Sequence, residues 1–214
     1  MSWAKVHRWL AIVLVVLLAV WSVTGLLFHL KPGWDRAYDQ LAAERGGPLH
    51  PGALVTLATI GDEVTGLELI DTALGPLYRV TTSTGGSLVD ASTGQRRSPL
   101  TEPDARTLAL DAISRSRHQA LYGELASITA RGEQFVLQFS GGQTVELGRS
   151  DARISQRGPD TDRIDWLYRI HYLQWTGNKT IDRGFAMFGL ALIWAVIIPG
   201  LVLFVRRLRA RTPA

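Results

Sequence analysis

Five histidines, His7, His29, His50, His118 and His171, are the side chains of this 214-residue chain best suited to hold a metal or a cofactor iron, because it contains no cysteine. That absence excludes disulfides, iron–sulfur clusters, thiolate zinc sites and haem attached through a C-x-x-C-H motif. His7 and His29 are 22 residues apart. At about 100° per residue this leaves an offset of about 40°, so on a helix they share one face and stand about 33 Å apart along its axis. Ala11, Val15, Leu18, Ser22 and Gly25 lie between them on that face, a mostly small stripe that lets another helix or a flat macrocycle approach the backbone. Two ligands so far apart cannot hold one ion, so each needs a partner from elsewhere. His171 is the candidate partner for His29. Ile164, Leu167, Tyr168, His171 and Trp175 recur at i, i+3, i+4, i+7 and i+11, one face of an amphipathic helix that lies along a membrane surface or caps a helical hairpin. His50, before Pro51 in a polar linker, and His118, beside Arg115 and Arg117, read as solvated groups.

Two uncharged runs must position these groups. Trp9–Phe28 runs twenty residues without a charge, enough at about 1.5 Å per residue to cross roughly 30 Å of hydrocarbon. The residues that follow, His29 to Trp34, offer no small-x-small cleavage site, so the run reads as an anchor and not as a cleaved signal. Gly184–Val205 is a second such run, with Pro199-Gly200 expected to bend it. No acid lies in 1–30 or 184–214, whereas Lys5, Arg8, Arg206, Arg207, Arg209 and Arg211 do. The basic ends place both termini in the cytoplasm and export the middle, which in a bacterium means the periplasmic side of the inner membrane. Trp34, Trp166 and Trp175 suit an outer aromatic belt, Trp3 and Trp9 an inner one. Residues 31–183 hold seventeen basic against nineteen acidic residues, which is not the basic patch of a nucleic-acid binder.

The middle shifts to Thr, Gly, Ser and Asp with short apolar alternation, the pattern of a small α+β domain. Leu77–Thr82 reads as a strand, Thr84-Gly85-Gly86 as a turn and Ser87–Asp90 as the returning strand; Phe135–Ser140, Gly141-Gly142 and Gln143–Leu147 repeat the arrangement. The offsets of 57 for Tyr78 and Phe135 and 56 for the glycine pairs mark a two-copy repeat. Residues 102–117 read as a helix whose buried face carries Leu108, Ala109, Ala112 and Ile113. Asp160, Asp162 and Asp165 precede the amphipathic segment, at a spacing that suits capping of its positive end better than a divalent cation. There is no G-x-S-x-G, H-E-x-x-H or cysteine nucleophile, and the glycine pairs sit between strands, where they cradle no phosphate.

Leu77-Tyr78-x-Val80 followed by Asp90-Ala91-x-Thr93-Gly94 resembles the sheet of a PepSY domain, in which a strand ends in a D-x-x-T-G turn. The opening Val6-His7-Arg8-Trp9-Leu10 with Thr24-Gly25, and the exit Leu167-Tyr168-Arg169-Ile170-His171 before a basic-ended span, resemble the PepSY-associated transmembrane helix family. Members often have four spans and two exit histidines three apart; here there are two spans, and Tyr168 stands in the first of those places. The resemblance implies a membrane protein of two transmembrane helices flanking an exported PepSY-like domain of two similar helix-plus-antiparallel-sheet units. The expected organisation is a cytoplasmic 1–8, a span at 9–30, a periplasmic domain at 31–162, an interfacial helix at 163–176, a span at 184–205 and a basic cytoplasmic tail at 206–214.

Because the family includes haem-containing siderophore-iron reductases, the resemblance also implies an oxidoreductase passing electrons outward through b-type haem, with ferric iron or a ferric chelate as acceptor. On that reading His29 and His171 are axial ligands, Gly25 and Ser22 let the ring approach, and Lys31, Lys179 or Arg183 pairs with the propionates. His7 would hold a second haem only with a histidine of another chain, so a homodimer or further membrane subunits are expected in the bilayer. The alternative is a haem-free tethered PepSY module that binds or regulates a periplasmic partner, or serves a larger complex as an accessory subunit.

Overall fold

The computed structural model describes residues 3–46, 64–83 and 85–209, and within these the side chains of all but 3–7 and 203–208. The chain divides into two compact units, Met1–Gly33 with Arg163–Ala214, and Trp34–Asp162.

In the first unit α1 (Trp3–Leu30) and α5 (Lys179–Arg209) are the long apolar helices. Arg8–Leu30 and Lys179–Val202 are each long and apolar enough to span a bilayer. Trp9, Val15, Met187 and Phe188 are exposed along them, as lipid-facing residues must be, while Leu14 and Leu192 are buried. α5 starts five residues before the uncharged run because Asn178 caps it: its Oδ1 accepts from the amides of Thr180 (3.0 Å) and Ile181 (3.4 Å). The helix continues through Pro199.

A short helix, α4 (Pro159–His171), precedes α5. The sequence pattern carries a helical face on to Trp175, but the helix stops at His171. Leu173 takes a left-handed conformation (φ 55°), the Leu173 amide donates to Ile170 O (3.2 Å) and the Gln174 amide to Arg169 O (2.8 Å). This is a Schellman closure with leucine where glycine is usual. The turn is anchored by its side chain, which is buried and packs against Gly189 of α5.

The second unit opens with a single helical turn, α2 (Trp34–Ala37), and holds two antiparallel meanders, β1-β2-β3 and β4-β5-β6-β7. The first comprises β1 (Val64–Thr72), β2 (Gly75–Thr82) and β3 (Gly85–Asp90). The second comprises β4 (Leu125–Arg131), β5 (Gln134–Phe139), β6 (Thr144–Gly148) and β7 (Ile154–Arg157). α3 (Glu102–Arg115) lies between them in sequence and is closed by a Thr101–Asp104 capping box with proline in the first turn. Its Leu108, Ala109, Ala112 and Ile113 are buried with Leu77 and Leu88 of the first sheet and Leu137, Val145 and Leu147 of the second, so one core serves both repeats. The segment 47–63, with His50, lies outside the described residues.

The D-x-x-T-G turn after β3 is explained by its hydrogen bonds. Asp90 Oδ1 accepts from the amides of Ser92 and Thr93, Asp90 O accepts from Gly94, and Gly94 sits at φ 74°, where a side chain would be strained. In the second repeat Gly141 is required for a different reason. A Cβ there would stand 1.8 Å from the carbonyl oxygen of Leu121.

Candidate functional site

A polar and aromatic constellation of the spanning unit surrounds His171, the last residue of α4. Its ring lies on one face of α1, against Trp21 (centroids 6.2 Å), Thr24 and Phe28 (5.0 Å, edge-on). These residues are spaced i, i+3 and i+7, and Gly25 completes the face: a Cβ there would stand 4.0 Å from His171 Cε1. Trp21 Nε1 donates to the His171 carbonyl at 2.7 Å, which satisfies one of the carbonyls a helix end leaves open. Tyr168 stacks on Phe28 (4.7 Å) and on Tyr172 (5.9 Å), and the His171 ring meets Tyr172 edge-on.

Thr24 orients the imidazole. Its hydroxyl is buried and donates to Val20 O at 2.8 Å, the i−4 bond of a helical threonine. A hydroxyl has one proton, so towards His171 Nδ1, at 2.9 Å, the oxygen acts as acceptor. The Nδ1–H of His171 is thereby directed at Thr24, which leaves Nε2 as the ring nitrogen open to a further partner. An imidazole in this form is a metal or haem ligand, or a proton acceptor.

A cavity of about 540 Å³ adjoins this ring, lined by Leu18, Trp21, Ser22, His171, Tyr172, Leu173 and Ala186. Leu18 and Ser22 belong to the small-residue stripe of α1. The stripe therefore opens on a largely apolar cavity with His171 in its wall and a serine on its floor.

The remaining predicted ligands are placed as follows. His29 is exposed near the end of α1 and has no hydrogen bond, ion pair or ring contact among the described residues. Lys179 and Arg183 are exposed in the first turns of α5. His7 lies on α1, but its side chain is outside the described ones. Thr24, Trp21 and Phe28 were the missed members of the site. Thr24 precedes the glycine of the stripe, and the i, i+3, i+7 spacing of the three was readable without knowing which segment they would meet.

The second unit holds a separate polar system. Arg79 of β2 is buried and donates to Glu68 (2.7 Å), Glu44 (2.6 Å) and Asp151 O (2.6 Å), tying the two sheets and the segment before β1 together. Burial opposes its charge, and the two carboxylates more than restore it, so its pKa lies above the ordinary arginine value. Asp39 accepts from Ser116 and Tyr122, and burial followed by the Asp39 charge pushes the Tyr122 hydroxyl pKa up. His118, expected to be solvated, is partly buried with Nε2 3.6 Å from Asp35. Asp160 and Asp162 pair with Arg36 (3.1 Å) and Arg157 (2.7 Å).

Two lipid-facing helices at the chain ends and a central pair of PepSY-like meanders now stand together, and the sequence matches the PepSY-associated TM region model over residues 4–214. The chain belongs to the PepSY-associated transmembrane family. As a member of it, this is a membrane protein that carries a PepSY domain between two membrane-spanning helices. No curated protein and no solved structure matches the chain significantly.

Proposed function

We propose that this PepSY-associated protein is a b-type haem electron-transfer protein of the bacterial inner membrane, with both termini cytoplasmic and the PepSY domain periplasmic. The observation that carries the reading is the Thr24-oriented imidazole of His171 in the wall of the cavity along the α1 stripe. The residues fit a haem: the donor is imidazole, the lining is apolar and aromatic, and an ionisable group packed against a spanning helix is rarely idle. Bound haem would supply one-electron chemistry. His171 would ligate it, Thr24 orients the ligating ring, and Trp21, Leu18 and Tyr172 exclude water. Ser22 and Gly25 keep the α1 surface low enough for a flat ring, and Lys179 or Arg183 would meet its carboxylates.

His29, with its imidazole unengaged, is the second ligand, from the same chain or from a mate in a homodimer. His7 would serve an inner haem across the same dimer. A ferric chelate at the periplasmic side is the acceptor this topology suits. Extraction of the purified, detergent-solubilised protein and a pyridine haemochrome assay are expected to give non-covalent haem b at two per chain pair, or three with the inner haem. A haem content indistinguishable from an unrelated two-span protein prepared alongside would end the reading.

The absence of His29 from the cavity lining favours a second reading, the haem-free tethered module. On it the Thr24–His171 pair only docks α4 on α1.

A further inference from the structure

The PepSY domain carries a second cavity with a different chemistry. It measures about 260 Å³ and is lined at one end of the first sheet by Ser87 of β3, by the loop residues Arg96, Arg97 and Ser98, and by Arg149 and Ser150, which follow β6 of the other sheet. Both repeats thus contribute to it. Arg97 is ion-paired with Asp104 (3.7 Å). Arg96 is exposed and, among the described residues, its side chain reaches only Ser87 Oγ, at 3.5 Å. Arg149 lies over the Phe135 ring, 5.3 Å from its centroid, and donates through Nη1 to Gly132 O (3.4 Å); its Nε is buried and unbonded among the described residues. Neither Arg96 nor Arg149 has a carboxylate within ion-pair distance among the described residues. No acid lines the cavity among the described residues; Glu133 accepts from Ser150 (3.3 Å), and Asp151 pairs with Arg153 (3.8 Å).

We infer that this cavity is a binding site for a small multivalent oxyanion, a compound bearing two or more carboxylate or phosphate groups. Guanidinium forks match carboxylate and phosphate oxygens in pairs, and the hydroxyls of Ser87 and Ser98 supply neutral donors beside them. A guanidinium already held over an aromatic face loses little freedom on binding, so Arg149 is a preorganised half of the site. Arg96 is the adaptable half. The volume admits a compact di- or tricarboxylate or pyrophosphate and is too small for a folded partner. The inference stands on the PepSY domain alone and does not require haem.

Isothermal titration of the full-length, detergent-solubilised protein with citrate, with pyrophosphate and with neutral glycerol tests it. Citrate or pyrophosphate binds and glycerol does not; which of the two binds more tightly tells carboxylate from phosphate recognition. Arg149→Gln and Arg96→Gln each weaken that binding by about tenfold to a hundredfold, and raising the salt concentration weakens it in the wild type. Arg96 is exposed and barely bonded, so Arg96→Gln keeps the test valid if Arg149→Gln loses stability. No heat with either anion, or binding that Arg96→Gln and salt leave unchanged, overturns the inference.

Discussion

In the PepSY domain Leu77, Leu108, Leu137 and Leu147 are sealed from solvent, whereas in the spanning unit Trp9, Met187 and Phe188 are 64%, 67% and 68% exposed. The polar residues are distributed in the opposite sense. The domain keeps most of its charges outside, in pairs such as Arg36–Asp160 and Arg45–Asp111, and buries Arg79, whose guanidinium reaches two partly exposed carboxylates. The spanning unit buries Thr24 at 5% exposure and engages it with His171. The contrast follows from solvent. A domain in water gains by hiding apolar surface, about 25 cal/mol per Å². A helix in lipid gains nothing by that and must satisfy each polar group internally. Structure in the domain is therefore carried by its core, and chemistry in the spans by the few polar groups they retain.

The comparison can be broken from either side. The largest effect on stability is expected in the domain from Gly141→Ala, since the new methyl meets a backbone carbonyl that cannot swing away; a loss of about 2–3 kcal/mol or more should appear in denaturant unfolding followed by far-UV circular dichroism. Arg79→Leu should cost about 1–3 kcal/mol in the same assay. It strands Glu44, Glu68 and the Asp151 carbonyl, although the two carboxylates are partly hydrated, which limits the penalty. In the spanning unit Thr24→Val keeps the shape and removes the acceptor for His171 Nδ1–H. Its expected signature is nearly unchanged unfolding with haem retention about tenfold weaker in competition with apomyoglobin.

The smallest effect is expected from Asp111→Asn. Hydrogen bonds from Arg45 first, against partial burial, and then from Arg115 hold the Asp111 carboxyl below its ordinary pKa. Its contribution to stability is therefore complete above the ordinary carboxylate value and fades as pH falls through the lowered one. Melting of the variant should be a few degrees lower at neutral pH, and the gap from wild type should close below about pH 4.

Much of this was legible in the residues. Twenty uncharged positions from Trp9 declare a membrane helix in any context, and the spacing of Leu108, Ala109, Ala112 and Ile113 declares a buried face. The glycine pairs mark both hairpins, although Gly85 and Gly86 open β3 instead of forming the turn. Strands β1, β4 and β7 gave a weaker signal. β1 carries Gly66, Glu68 and Asp71 and is largely exposed over its first half, so its alternation is blurred. The stop at Leu173 was hidden because a leucine in left-handed backbone is held there by packing against α5, a distant contact with no local mark. The same holds for Thr24 and His171, 147 residues apart in sequence. Each was singled out as part of an exit or entry motif, but only the fold pairs them.

The central claim is that the His171 imidazole, oriented from within the spanning unit, is an iron ligand. The most direct measurement is the dithionite-reduced minus oxidised visible spectrum of the purified full-length protein beside His171→Ala, with circular dichroism to confirm that both are folded. The account predicts the Soret shift and α band of a six-coordinate b haem in the wild type and their loss in the variant. A featureless wild-type spectrum, or the same bands in a folded His171→Ala protein, would contradict it.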